Sequence, residues 1–144
     1  MMRYLGLAAV LALSATAVVA QSDPIAERKA LMKANVDNFK NAMKIVRGEE
    51  SFDGAKVQAA FVQWTETAHK LPNLFPEKSK TGGQTRALPK IWDDRSGFDA
   101  KVDAFAKAVA DGRDKAKDVE GLKVAIAAVG KACDGCHDQY RRAR

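Results

Sequence analysis

A chain of 144 residues with 24 Lys and Arg against 18 Asp and Glu, a formal charge of +6, suits one domain of ordinary size and is too short for two. Both signs are dispersed along the chain, which argues against a nucleic-acid partner and for a solvated surface with a mild attraction to acidic proteins. Two cysteines and two histidines bound the thiol and metal chemistry on offer.

In chain order, Arg3 precedes an apolar run from Leu5 to Leu13 and the small-residue stretch Val18-Val19-Ala20. This predicts a signal peptide over residues 1–20, cleaved after Ala20, against the alternative of an uncleaved N-terminal anchor. The apolar run is too short to span a bilayer, which takes about 20 apolar residues. The mature chain, Gln21 to Arg144, is then a single exported domain with no membrane span and, once Arg3 is lost, a charge of +5.

Apolar residues at three-four spacing predict four helices and no strands. The first runs from Asp23 to Arg47 with a stripe of Ile25, Met32, Val36, Phe39, Met43 and Val46, capped by Asp23 with Pro24 behind it and stopped at Gly48. The second, Gly54 to Leu71, carries Val57, Phe61, Trp64 and Ala68 and ends at Pro72. An irregular link over 72–89 follows, held out of either helix by Pro72, Pro76, Gly82 and Gly83, with Leu74 and Phe75 tucked in as a partial lid. The third helix spans Leu88 to Ala110 with Gly97 as its weak point, and the fourth spans Asp118 to Arg142 with both cysteines on its apolar seam. Short connections make this an all-α, up-down-up-down antiparallel four-helix bundle.

Near the end of the fourth helix stands Cys133-x-x-Cys136-His137. A thioredoxin-like pair belongs at a helix N-terminus, where the dipole lowers the thiol pKa, and this one sits at the other pole. Zinc would need Cys133, Cys136, His137 and His69 together, and adjacent Cys136 and His137 are poor partners on one tetrahedral ion. Covalent attachment of one haem c accounts for the whole pattern: two thiols three positions apart reach the two vinyl groups, and the next residue is the proximal iron ligand. Such attachment occurs on the exported side of bacterial membranes, in agreement with the leader, and predicts a periplasmic protein.

Up-down-up-down order puts the end of the fourth helix, the start of the first and the 72–89 link at one end of the bundle, so the haem belongs there. The mature chain holds two methionines, Met32 and Met43. At about 1.5 Å per residue Met32 lies roughly 12 Å into its helix, Met43 roughly 29 Å, and His137 about 8 Å from the end of its own. Met32 is therefore the candidate distal iron ligand, against the alternative of packing above an open iron. Met43 reads as core filler and His69 as a surface residue. Arg28, four residues before Met32, and Arg141, four after His137, are candidate partners for haem propionates. Trp92 reads as pocket wall, and Lys78, Lys80 and Arg86 on the link as a docking face for redox partners.

The segments RKALMKAN (28–35), LPNLFPE (71–77), ALPKIW (87–92), GFDAK (97–101) and VGKACDGCHDQYR (129–141) resemble, in this order, those of the class II cytochromes c, the cytochrome c' family. The resemblance covers nearly the whole mature chain. It implies thioethers at Cys133 and Cys136, proximal ligation by His137 and, because LMKAN is similar to the low-spin branch, distal ligation by Met32. It further implies an electron carrier rather than an enzyme, acting with redox partner proteins as a monomer or homodimer. High-spin members, with a five-coordinate iron that binds NO or CO, are the alternative within the same family.

Overall fold

The computed structural model describes residues 23–143; the leader expected over 1–20 lies outside the described residues. Every long helix opens on an aspartate. Helix α1 (Pro24–Val46) is capped by Asp23, whose carboxylate accepts from the Ile25 N–H at 2.8 Å, and α2 (Gly54–Lys70) by Asp53, which accepts from Ala55 and Lys56. A four-residue helix, α3 (Lys90–Asp93), leads into α4 (Arg95–Lys115), capped by Asp94, and α5 (Val119–Tyr140) is capped by Asp118. A carboxylate at these positions satisfies backbone donors that have no partner within the helix and complements its positive pole.

Helix α1 packs on α2 and α5, and α4 packs on the same two, closing an antiparallel four-helix bundle as expected. The link after α2 tightens into 3-10 turns at Leu71–Leu74 and Glu77–Ser79 and buries Leu74 and Phe75, the predicted lid. Among the described residues no helix is long and apolar enough to cross a membrane.

Two expectations need correction. The third helix is not continuous from Leu88: Asp94 leaves helical geometry (φ −129°, ψ 63°), and its carboxylate turns back to accept the Gly97 N–H at 3.1 Å. A side chain that caps the next helix competes with continuation of the previous one, so the break falls at Asp94 and not at Gly97. The same helix runs past the expected end at Ala110 to Lys115, and Gly112 lies buried within it, where a Cβ would stand 2.9 Å from the Phe61 ring. In α1 the inward stripe is rotated by one residue. Leu31, Asn35, Ala42 and Ile45 are buried where Met32, Val36, Met43 and Val46 were expected, and Val36 is 46% exposed. Polar residues set that rotation. Asn35 is paid for by Thr67, whose hydroxyl donates to its Oδ1 at 2.9 Å, and Trp64 Nε1 donates to the Asn35 carbonyl at 3.3 Å.

The core divides in two. One cluster, centred on Phe61, Trp64, Val109, Leu122 and Val129, fills the half of the bundle away from the link. The other, Leu31, Leu71, Leu74, Phe75, Ile91, Phe98, Val102 and Tyr140, fills the half beneath it. Complete burial of side chains such as Phe61 and Leu122 contributes about 1.5–3 kcal/mol each.

Candidate haem site

On the last turns of α5 the motif residues are all half-buried. Cys133 packs against the first cluster and Cys136 against the second, so the two thiols straddle the boundary between them. Burial, with the Asp134 charge adding to it, pushes the Cys133 thiol up to about 11, and burial also raises Cys136. Such thiols stay protonated near neutral pH, which removes the reactive thiolate that a disulfide-exchange centre needs. Burial, followed by the Arg141 charge, pulls the His137 imidazole below its ordinary value, leaving it in the neutral form that ligates metal.

Met32 is half-buried and packs on the same cluster as Cys136, together with Ala87 and Trp92 from the far side of the link. The structure thus brings Met32 and the motif to one end of the bundle. Met43 and Phe39 pack on the other cluster, and His69 is exposed. Among the described residues no three His, Cys, Asp or Glu side chains converge on a metal-sized site, so the zinc alternative has no cage.

Arg28 is buried, and both terminal nitrogens of its guanidinium are committed to the protein. Nη1 donates to the Leu74 carbonyl and to Ser79 Oγ, each at 2.8 Å, and Nη2 to the Ser79 carbonyl at 3.0 Å and Thr85 Oγ1 at 2.7 Å. The guanidinium also stacks 4.6 Å from the Phe75 ring centroid. One side chain four residues before Met32 therefore fixes three points of the link that roofs the site. Arg141 is exposed and pairs as a single antiparallel bridge with Ala87. Around it the Leu88 N–H donates to the Tyr140 carbonyl and the Arg142 N–H to the Arg86 carbonyl, each at 2.9 Å. Tyr140 in turn donates its hydroxyl to Asp94 at 2.7 Å, so the end of α5 is fastened to both the link and the start of α4. Composition gave no warning of these tethers; the small polar residues Ser79 and Thr85 stand in the link without any pattern that marks them as Arg28 partners.

A haem fits this chemistry. It needs two thiols on one helix face, a neutral imidazole beside them, an apolar bed and hydrogen-bond donors for its carboxylates, and the indole Nε1 of Trp92 is a buried donor with no partner. The family model described as Cytochrome C' matches residues 23–141. The chain belongs to the cytochrome c' family. It is 41% identical over 145 residues to cytochrome c-556 of Rhodopseudomonas palustris, covering 98% of this chain and 97% of the relative. With a cytochrome c' of the same organism it is 39% identical over 140 residues, covering 97% and 96%. The solved structure of cytochrome c' from Rhodopseudomonas palustris superposes with a TM-score of 0.81 at 40% identity, over 86% of this chain and 99% of the other. As a cytochrome c' family member the chain carries one covalently bound haem c and is a monohaem electron-transfer or ligand-binding protein, not an enzyme in the ordinary sense.

Proposed function

We propose that this cytochrome is a low-spin, periplasmic electron carrier in which Cys133 and Cys136 hold the haem through thioethers and His137 and Met32 are its axial ligands. The observation that carries the reading is the packing of Met32 and Cys136, both half-buried, against the same buried cluster, at the end of the bundle that the link closes. When bound, the haem supplies one-electron Fe(II)/Fe(III) exchange. The chain contributes a soft thioether, which favours the reduced state, and an imidazole kept neutral by burial. The lid residues Leu74 and Phe75 exclude water from the site, and the Arg28 hydrogen bonds hold that lid in place. Arg141, exposed at the same end, is the better placed of the two arginines to meet a propionate, since Arg28 is occupied by the link. The leader-like sequence at residues 1–20 supports export.

Visible spectra of the purified protein, oxidised and reduced, with and without carbon monoxide, test the reading. Separate, sharp α and β bands on reduction, indifferent to carbon monoxide and lost in Met32→Ala, are expected. A broad unsplit band that shifts with carbon monoxide means an open sixth position and overturns it.

A second reading, a five-coordinate protein that binds nitric oxide or carbon monoxide, has its own support. Similarity to the relative named cytochrome c' is nearly equal to that with cytochrome c-556. A structural neighbour at 26% identity and a TM-score of 0.75 is described as a nitric oxide complex of a cytochrome c prime variant from Alcaligenes xylosoxidans. The same spectra separate the two.

A further inference from the structure

Trp92 Nε1 is the one buried side-chain nitrogen or oxygen among the described residues that lacks a hydrogen-bond partner. Buried donors are rarely left so, because desolvation is then uncompensated. The other indole shows the rule at work: Trp64 is 1% exposed, and its Nε1–H donates to the Asn35 carbonyl at 3.3 Å. An orphaned donor therefore points to an acceptor that the polypeptide itself does not provide.

Its surroundings say which acceptor. Trp92 packs on the cluster that also takes Met32, Ala87 and Cys136, the bed of the haem. Its ring meets Phe75 edge-on at 5.7 Å between centroids, and the Lys80 ammonium stands 5.8 Å from its centroid. A haem whose vinyl groups are consumed by two cysteines has only its two propionates left as hydrogen-bond acceptors at the rim. A carboxylate brought to Nε1 would also enter the field of Lys80, a half-buried ammonium whose Glu77 partner is largely exposed. We propose that Trp92, reaching in from the short helix before α4, donates its indole N–H to one haem propionate and so fixes the rotation of the macrocycle about its thioether edge. Trp92 is then a cofactor-binding residue and not only a wall. This rests on the haem being held by α5 but not on ligation by Met32.

The test is nuclear magnetic resonance on the 15N-labelled, haem-loaded protein, reduced under carbon monoxide. Iron is then low-spin and diamagnetic whether Met32 or carbon monoxide fills the sixth position, so failure of the low-spin reading does not disturb the measurement. Two indole N–H signals arise from Trp64 and Trp92, and Trp92→Phe identifies the second by its loss; where that variant does not load haem, Trp64→Phe makes the same assignment by elimination. The expected result is a nuclear Overhauser contact from the Trp92 indole proton to propionate methylene protons, with solvent exchange at least as slow as that of Trp64. An indole proton with no propionate contact, or one whose contacts are to water, overturns the proposal.

Discussion

Replacing Arg28 by methionine tests how the roof of the site is held. The substitution keeps an unbranched apolar stem against Phe75 and removes the donors to the Leu74 carbonyl, Ser79 Oγ, the Ser79 carbonyl and Thr85 Oγ1. A buried acceptor left without its donor costs about 1–3 kcal/mol, and simple addition over four gives an upper bound. Two relaxations reduce it. Thr85 is only half-buried and can turn to water, and Ser79 Oγ keeps its own bond to the Pro76 carbonyl at 2.9 Å. Removing the guanidinium also relieves the desolvation that lowers its pKa. A net loss of about 2–4 kcal/mol remains, and at about 4 °C per kcal/mol for a domain of this size the melting temperature falls by roughly 8–16 °C. Thermal unfolding of the haem-loaded protein followed by circular dichroism gives the magnitude, and hydrogen exchange gives the location, with protection lost first across 76–88. A melting temperature within about 3 °C of the parent, with exchange in the link unchanged, would refute the idea that Arg28 anchors it.

Tyr140→Phe removes the hydroxyl that, ahead of the Gly97 N–H, holds the Asp94 carboxyl below the ordinary carboxylate range. A depressed carboxyl stabilises the fold above its unfolded pKa of about 4 and loses that contribution as pH falls through its folded value. The stability gap between parent and Tyr140→Phe should therefore be steady near neutral pH and shrink below about pH 4 in urea titrations; a gap that stays constant down to unfolding contradicts this. At the alkaline end the Tyr140 hydroxyl, raised to about 12 chiefly by Asp94, contributes below its unfolded value and loses that contribution as pH climbs through about 12. Gly112→Ala places a methyl 2.9 Å from the fully buried Phe61 ring and 3.1 Å from Ala125, and overpacking of about 1–3 kcal/mol should outweigh about 1 kcal/mol of improved helix propensity. Urea denaturation should show net destabilisation, and a gain would mean that α4 can shift away. Lys78→Gln with Lys80→Gln should slow electron transfer with an acidic partner several-fold at low ionic strength and little at high salt; rates equal at both salts remove the link from the docking face.

The starts of α1, α2 and α5 were legible because each lies beside a local device, an aspartate one residue ahead of the helix. The haem motif was legible because its chemistry is written in consecutive residues. The rotation of α1 was not, since hydropathy treats Arg28 and Asn35 as outward-facing, and what makes them interior is supplied by Ser79 and Thr85 on the link and by Thr67 on α2. Asp94 defeated the reading of the third helix for a similar reason. Its capping bond to Gly97 is local, but the bond that locks the carboxylate comes from Tyr140, 46 positions away. Trp92 was legible as part of the pocket wall, while the isolation of its indole nitrogen became visible only in three dimensions.

The division of the core into two clusters gives the molecule a handle and a socket. The handle, built round Phe61, Trp64 and Leu122, is ordinary helix packing that meets the motif only at Cys133. The socket is assembled from pieces distant in the chain: the start of α1, the link, α3, the first turns of α4 and the tip of α5. Met32 and Trp92, the proposed iron ligand and propionate partner, pack on the socket and are absent from the handle. On that proposal, one coordination chemistry could be exchanged for another by substitutions confined to the socket, with the packing of the handle left as it is.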